Sequence, residues 1–236
     1  DLGRECAKPS WVTHIIRASW YKSQNEPGSI ICPPVVPNPE WPKQHPTPLP
    51  DPQKNQNPKV GFCGRTGSKI GQKTYRLLPK NLARALAGNP LCGITPGLRG
   101  IFGAPSRRDA METMANDPRI STDFIDRGAA THTPQTQGQT LKEYEENLQR
   151  NQYSLCCRGS DNYSYRFFET LAAGRIPVLI DTDCILPLEN EIDWDEICIR
   201  IPPRALDQAP EKILKFHQEI TLPDPGYLQN KIEAAS

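Results

Sequence analysis

The sequence has no long apolar run and almost no net charge. None of its apolar stretches approaches the roughly 20 residues that an α-helix needs to cross a membrane. Its 28 basic and 27 acidic side chains leave a formal net charge of +1. Electrostatics therefore gives no reason to propose binding to a nucleic acid or to a membrane surface, and we expect no nucleic-acid partner.

Three short motifs of metal and nucleotide sites are also missing. None of the eight cysteines belongs to a Cys-x-x-Cys pair, so a structural zinc site is not indicated. The order Gly67-Ser68-Lys69 is not the Gly-Lys-Ser/Thr that ends a phosphate-binding P-loop. Gly61, Gly64 and Gly67 are separated by two residues each, which departs from the dinucleotide fingerprint. The missing fingerprint argues against an epimerase.

The chain does contain one well-marked unit of strand, loop, helix and strand between Tyr153 and Asp193. YSLCC is a short apolar run of the type found in buried parallel strands. The polar loop RGSDNYS supplies several residues that favour a helix N-terminus, and YRFFETLAA follows with apolar side chains at helical spacing. Gly174 fits the position just after the helix, and IPVLID is a second buried strand. Units of this kind build the α/β sheets that bind nucleotides.

The loop of this unit is a candidate phosphate site. A loop that runs from the carboxyl end of a strand into a helix N-terminus presents unpaired N–H groups and the positive end of the helix dipole. Arg158 and Gly159 begin the loop and Arg166 lies in the first helical turn, so two guanidinium groups suit a diphosphate. Glu169 lies on the same helical face, where it can accept hydrogen bonds from ribose hydroxyls. An ordinary surface ion pair between Arg166 and Glu169 explains these two residues equally well.

Three further runs complete the prediction of a parallel sheet. We expect strands near residues 59–64, 119–126, 152–157, 176–181 and 196–201, separated mostly by helices, and therefore a Rossmann-like α/β domain with flanking helices. After the first strand, Gly64 lets the backbone turn close to a ligand while Arg65 faces its phosphates or sugar. A simple strand-to-helix turn explains Arg65 equally well. Asp181 and Asp183 follow a strand, at the edge where open α/β sheets bind ligands.

The helices between these strands carry weaker signals. The segment QKTYRLLPKNLARALAGN predicts a helix that Pro79 should kink or split. Its apolar positions are Leu77, Leu78, Leu82 and Leu86. DAMETMAN predicts a short helix and APEKILKFHQEI a terminal one. Thr140 and Glu143 form a capping-box pattern, so we expect Thr140 to cap the helix LKEYEENLQRN.

Three other features are assigned to structure rather than to the site. The basic pair Arg107-Arg108 lies in a segment rich in glycine and proline, which predicts an excursion on the surface. His14 lies in the strand candidate VTHIIRA, where a half-buried histidine is a better interpretation than a catalytic base. His132 lies in a polar loop and is interpreted as solvated.

The central unit also carries a resemblance to a known family. The segment CRGSDNYSYRFFETLAAGRIPVLIDTDCILPLENEIDW resembles the signature segment of the exostosin-like glycosyltransferases, and VGFCGR resembles the first strand of their donor-binding domain. The resemblance covers roughly Val60 to Pro202, and a weaker similarity extends to VTHIIRASWYKS and ICPP. It implies the GT-B architecture of two Rossmann domains, of which this chain would hold the C-terminal, nucleotide-sugar-binding half.

The resemblance implies transfer of a sugar from a nucleoside-diphosphate sugar to a glycan or another hydroxyl acceptor, with inversion at the anomeric carbon. It also implies no metal and no cofactor besides the donor substrate. We predict that the donor is bound by Arg158, Gly159, Asn162, Ser164, Arg166, Glu169, Gly64, Arg65, Asp181 and Asp183. The catalytic base is expected in the other domain, so this chain alone is expected to bind the donor and to be inactive. The alternative is a non-catalytic module on a Rossmann scaffold that binds a nucleotide or a carbohydrate.

Proline divides the chain into four expected parts. We predict the tail of an N-terminal, acceptor-side domain at 1–32, a proline-rich linker at 33–58, the donor-binding domain at 59–225 and a tail at 226–236. The chain opens at Asp1 without a methionine, so we expect a fragment whose N-terminal domain lies upstream.

The cysteines favour a reducing compartment. Cys63, Cys156 and Cys198 lie inside apolar runs, where cysteine behaves as a small buried hydrophobe. Asn162-Tyr163-Ser164 is formally a glycosylation sequon, but a glycan there would obstruct the predicted phosphate loop. We therefore expect a cytoplasmic protein. The alternative is a membrane-anchored protein of the Golgi lumen, if a signal anchor lies upstream.

Overall fold

A computed structural model describes residues 15–17, 29–31, 57–66, 77–87, 107–128, 134–159 and 162–221. Most of the predicted linker, the predicted C-terminal tail, His14 and His132 lie outside the described residues. No helix among the described residues is long and apolar enough to cross a membrane.

The strands of the described residues form two parallel sheets. β1 (Ile15–Arg17) and β2 (Ser29–Ile31) form a two-stranded sheet. The main sheet has five strands: β3 (Lys59–Gly64), β4 (Ser121–Asp126), β5 (Tyr153–Cys157), β6 (Ile176–Ile180) and β7 (Ile199–Ile201). All of its neighbouring strands are parallel. The predicted Rossmann-like α/β fold is therefore confirmed.

The order of the main sheet, β4-β3-β5-β6-β7, determines where a ligand can bind. Numbered from β3, this is the order 2-1-3-4-5 of a doubly wound sheet, and the connections reverse direction between β3 and β5. Pairing between these two strands covers Val60↔Tyr153 and Gly61↔Ser154. β3 and β4, in contrast, pair along all six of their residues. The carboxyl halves of β3 and β5 therefore diverge, which opens a gap at the position where such sheets bind ligands.

Among the described residues, four α-helices lie between strands of the main sheet and a fifth follows β7. They are α1 (Lys80–Ala87), α2 (107–115), α3 (Pro134–Arg150), α4 (Tyr165–Ala172) and α5 (Ala209–Thr221). Two short 3₁₀-helices lie at Trp194–Glu196 and Pro203–Gln208. The helix α1 begins directly after Pro79, as the proline predicted, and the helices predicted from DAMETMAN and APEKILKFHQEI are confirmed.

One prediction about a helix is wrong. Thr140 does not cap α3, because the helix begins six residues earlier at Pro134, and proline suits the first helical position. The Thr140 carbonyl instead accepts a hydrogen bond from Arg127 Nη2 at 2.9 Å. Leu82 is 47 % exposed, whereas Arg84 on the same helix is only 1 % exposed. Arg84 is buried because its guanidinium binds the carboxylates of Asp109 and Asp207 at 2.8 and 2.6 Å.

The C-terminal end of α4 fixes this helix against the sheet. Gly174 has φ of +64°, and its N–H donates to the Leu171 carbonyl at 2.9 Å, which ends the helix as predicted. The fully buried Arg175 donates from Nη2 to the Gln149 carbonyl at 2.8 Å. Phe167 anchors the other half of the helix, since it is 1 % exposed and its ring centroid lies 5.5 Å from that of Trp194. These contacts hold the α4 N-terminus at the carboxyl edge of the sheet.

A cationic cleft between two strand ends

A cleft of about 200 Å³ opens where β3 and β5 diverge. It combines three arginines with aromatic side chains and the first residues of α4. Its lining residues are Phe62, Arg65, Arg107, Cys157, Gly159, Tyr163, Ser164, Tyr165 and Arg166. Four of these were predicted from the sequence to bind the donor: Arg65, Gly159, Ser164 and Arg166.

Arg166 reaches from the first turn of α4 to the end of β3. Its Nη2 donates a hydrogen bond to the Cys63 carbonyl. Its Cζ lies 4.3 Å from the ring centroid of Phe62 and 5.1 Å from that of Tyr144, so two aromatic faces hold the cation. The guanidinium is therefore fixed in the cleft by three independent contacts.

Glu169 does not pair with Arg166. Its Oε2 accepts a hydrogen bond from the Tyr144 hydroxyl instead. Burial raises the pKa of Tyr144, so this hydroxyl keeps its proton and remains a donor. The surface ion pair considered as an alternative from the sequence does not form, and Glu169 does not line the cleft.

Gly64 allows Arg166 to lie against the backbone of β3. A Cβ atom at Gly64 would lie 2.9 Å from Arg166 Nη2 and 3.3 Å from Phe62 Cζ. Both distances are shorter than an ordinary van der Waals contact. Arg65, the next residue, is exposed and lines the cleft. In the structure the group close to Gly64 is the side chain of Arg166, and the approach of a ligand to this backbone stays a prediction.

Arg107 is a cleft residue that the sequence did not identify. From the start of α2 it donates through Nη1 to the Arg65 carbonyl at 2.7 Å and through Nη2 to the Arg158 carbonyl at 2.6 Å. It therefore ties together the loops that follow β3 and β5. Burial lowers the pKa of Arg107, and the nearby positive charges of Arg166, Arg65 and Arg158 lower it further. The sequence predicted a surface excursion for Arg107, and no local pattern indicated that its side chain returns to the loops after β3 and β5.

The N-terminus of α4 contributes backbone donors to the same cleft. Ser164 is the N-cap residue, with φ of −128° and ψ of 118°, and its side chain makes no capping hydrogen bond. The Gly159 N–H donates to the Tyr163 carbonyl at 2.9 Å, which closes the preceding loop. The first-turn N–H groups and the positive end of the helix dipole therefore meet the three arginines.

Arg158 and Asn162 lie in a neighbouring pocket. Arg158 is 5 % exposed and lines this second, narrower and mainly apolar pocket between α4 and β6. Asn162 lines it too, and its Oδ1 accepts a hydrogen bond from Thr182 Oγ1 at 2.6 Å. Of the two arginines expected to hold the diphosphate, the structure therefore brings Arg166 into the cleft, while Arg158 contributes its carbonyl to Arg107.

The structure does not bring Asp181 or Asp183 into the cleft. Asp181 Oδ2 lies 2.8 Å from Arg200 Nη2, and its Oδ1 accepts a hydrogen bond from the Cys184 N–H at 3.1 Å. Asp183 has φ of +63° and lines neither the cleft nor the second pocket. Among the residues that the structure describes, no three His, Cys, Asp or Glu side chains are grouped closely enough to hold a metal ion.

Cys157 lies at the floor of the cleft as a neutral thiol. It is 9 % exposed, and burial raises its pKa to about 11 despite the nearby Arg107 and Arg166. A thiol with this pKa is a weak nucleophile near pH 7, so the environment of Cys157 does not suit covalent catalysis.

The fold and the cleft together define a Rossmann-like domain with a cationic cleft at the switch point of its sheet. Residues 39–216 match the Exostosin GT47 domain, and the chain belongs to this family of glycosyltransferases. The resemblance that the sequence indicated is thereby confirmed.

Three relatives illustrate how much of the family's length this chain covers. It is 42 % identical over 77 residues to Exostosin-1 of Drosophila melanogaster, covering 33 % of this chain and 10 % of the relative. It is 38 % identical over 72 residues to the Exostosin-1 homolog of Caenorhabditis elegans, covering 30 % of this chain and 19 % of the relative. It is 32 % identical over 125 residues to the probable glucuronosyltransferase GUT1 of Oryza sativa subsp. japonica, covering 52 % of this chain and 26 % of the relative. The chain therefore spans about a quarter or less of each of these relatives.

Proposed function

We propose that this chain is the donor-binding domain of a glycosyltransferase that transfers a sugar from a nucleoside-diphosphate sugar to a hydroxyl group of a glycan or another acceptor. One observation carries the proposal: three guanidinium groups and a helix N-terminus converge on the cleft at the switch point of the sheet. Planar guanidinium forks and helix N-terminal N–H groups are the groups that proteins use to bind phosphate oxygens.

The arrangement suits the departure of a nucleoside diphosphate. When the bond between the sugar and the diphosphate breaks, negative charge develops on the leaving oxygens, and fixed positive groups stabilise it. Arg166 is held by the Cys63 carbonyl and two aromatic rings, so it needs little reorganisation to act in this way. Arg107 is half-buried beside other guanidinium groups, and a bound anion would offset their mutual repulsion.

We propose that the protein supplies these charges without a metal ion and without a further cofactor. The donor affinity should then be unchanged when EDTA is added. The transfer is proposed to invert the anomeric carbon, which requires a base on the side of the sugar opposite the diphosphate. The described residues that line the cleft include no Asp, Glu or His. We therefore place this base outside the described residues.

The relatives suggest a donor to test first. The rice relatives are named as probable glucuronosyltransferases, so a uridine-diphosphate glucuronic acid donor is the first candidate. Uridine and guanosine diphosphates serve as simpler probes of the same cleft.

Calorimetry with the full chain tests the proposal. Uridine diphosphate should bind, and Arg166→Ala should weaken it by about 1.5–3 kcal/mol, because a charged hydrogen bond to the diphosphate is lost. This corresponds to a roughly tenfold to 150-fold rise in Kd. The control is Arg119→Ala, which also removes one positive charge. Arg119 lies just before β4, at the amino ends of the strands and away from the cleft, and it binds Asp117 and Glu211 there. Failure of the folded chain to bind either nucleotide, or an unchanged affinity in Arg166→Ala, would contradict the proposal.

The second candidate function is a non-catalytic module that binds a nucleotide or a carbohydrate. The absence of Asp, Glu and His from the described part of the cleft lining favours it, because such a module needs no acid or base. Slow hydrolysis of a nucleotide sugar, measured on the longest natural form of the protein, discriminates between the two. A transferase should release the nucleoside diphosphate, and a binding module should not.

A further inference from the structure

Tyr165 is an exposed aromatic residue at the mouth of the cleft. It is the first residue of α4, directly before Arg166, and it is 50 % exposed. The core of the domain does not use it, since the buried residues of this helix are Phe167 and Thr170. Tyr163 also lines the cleft, and its ring centroid lies 5.0 Å from that of Tyr165 at an interplanar angle of 74°. This edge-to-face contact orients the Tyr165 ring without burying it.

We propose that Tyr165 is the platform on which the base of the nucleotide stacks. This inference rests on the proposed function, because it requires the diphosphate to lie beside Arg166 and the α4 N-terminus. A ligand whose diphosphate is held at the first turn of a helix must extend from there toward the mouth of the cleft. Tyr165 presents the exposed aromatic ring at that place, and bases stack on such rings in many nucleic-acid sites.

The composition of the cleft favours the base over the sugar as the group that contacts Tyr165. Recognition of a sugar needs hydrogen-bond acceptors for its many hydroxyl groups, and carboxylate and amide side chains supply them. Among the described residues, the cleft lining contains cationic and aromatic side chains, one serine and one cysteine, and no Asp, Glu, Asn or Gln. A flat π-system beside cations is a surface that suits a heteroaromatic base.

Stacking on Tyr165 should discriminate little between bases. Every base has a π-face, so the contribution of a stacked ring is similar for pyrimidines and purines. Tyr165 should therefore strengthen the binding of uridine diphosphate and guanosine diphosphate alike. Selection between the two bases must come from groups other than this ring.

Calorimetry on the full chain with three probes tests the inference. Tyr165→Ala should raise the Kd of uridine diphosphate and guanosine diphosphate by about five- to tenfold, the lower part of the range for loss of a base stack. It should leave the Kd of inorganic pyrophosphate unchanged, since pyrophosphate has no base. Tyr165→Phe keeps the ring and should bind all three probes as the unmodified chain does. Leu141→Ala removes a side chain that is 56 % exposed on α3, outside the cleft, and is the control for loss of exposed apolar surface.

The outcomes separate this inference from the proposed function. If the unmodified chain binds neither pyrophosphate nor nucleotides, the proposed function fails and the platform fails with it. If Tyr165→Ala binds both nucleotides as the unmodified chain does, the platform is wrong while the diphosphate site stands. If Tyr165→Ala raises the Kd of pyrophosphate as much as that of the two nucleotides, the ring acts on the diphosphate site and the assignment to the base is overturned.

Discussion

Replacement of Gly64 by alanine should weaken nucleotide binding while leaving the fold intact. The new Cβ would lie 2.9 Å from Arg166 Nη2, a distance that real Cβ atoms essentially never show, so the guanidinium must move. The backbone at Gly64 does not have a positive φ, so alanine is sterically allowed there. The Phe62 ring, 3.3 Å from the new atom, restricts movement of the side chain on that side.

The size of the effect follows from the contacts that Arg166 would lose. Its movement weakens the hydrogen bond to the Cys63 carbonyl, and a hydrogen bond from a charged group contributes about 1.5–3 kcal/mol in proteins generally. It also weakens the contacts of the guanidinium with two aromatic rings, which contribute about 0.5–1 kcal/mol. Replacing glycine by alanine also stabilises the folded state by about 0.4–1 kcal/mol, because alanine reduces the conformational entropy of the unfolded chain. We therefore expect a net loss of stability of about 1–3.5 kcal/mol and a fall of roughly tenfold in affinity for uridine diphosphate.

Urea unfolding and calorimetry measure the two effects on the same protein. Gly138→Ala is the matched control, because Gly138 lies within α3 and a Cβ there would meet nothing within 4 Å. That control should gain about 0.5–1 kcal/mol of stability and bind nucleotide normally. A Gly64→Ala variant that binds uridine diphosphate as tightly as the unmodified chain would refute the assigned position of Arg166.

Two further predictions concern a buried ion pair and a buried thiol. Arg84→Ala should destabilise the domain by about 3 kcal/mol in urea unfolding, because it removes a buried guanidinium that binds the carboxylate of Asp109, which is 11 % exposed. A change no larger than that of the exposed-pair variant Arg119→Ala would contradict this. Cys157 should react with iodoacetamide about tenfold faster for each unit of pH between 7 and 9, because its pKa of about 11 keeps the thiol protonated throughout that range. Mass spectrometry checks this rate, and uridine diphosphate should slow it; a rate that depends neither on pH nor on the nucleotide would show that Cys157 does not lie in the binding cleft.

The parts of the fold that local patterns determine could be predicted from the sequence. Short apolar runs such as YSLCC and IPVLID marked central strands of the main sheet, and Gly174 marked the end of α4 because its backbone adopts a positive φ. The motif around Arg166 identified the helix whose N-terminus forms one wall of the cleft. These features depend on residues close together in the chain.

The features that the sequence did not predict depend on contacts between residues far apart in the chain. Arg107 enters the cleft because two carbonyls, at Arg65 and Arg158, accept its N–H groups, and no local pattern reports such a contact. Asp181 was expected at the ligand, but Arg200 on the neighbouring strand β7 binds its carboxylate. The Thr140–Glu143 pattern is typical of a helix N-terminus, but the helix already begins at Pro134. Thr140 therefore lies inside the helix and has no N-terminus to cap.

The most direct test is a crystal structure of the full chain with uridine diphosphate. The diphosphate should lie between the carboxyl ends of β3 and β5, with its oxygens within hydrogen-bonding distance of the Arg166 guanidinium and of the first N–H groups of α4. A nucleotide bound at another edge of the sheet, or with its phosphates turned away from Arg166, would contradict the account.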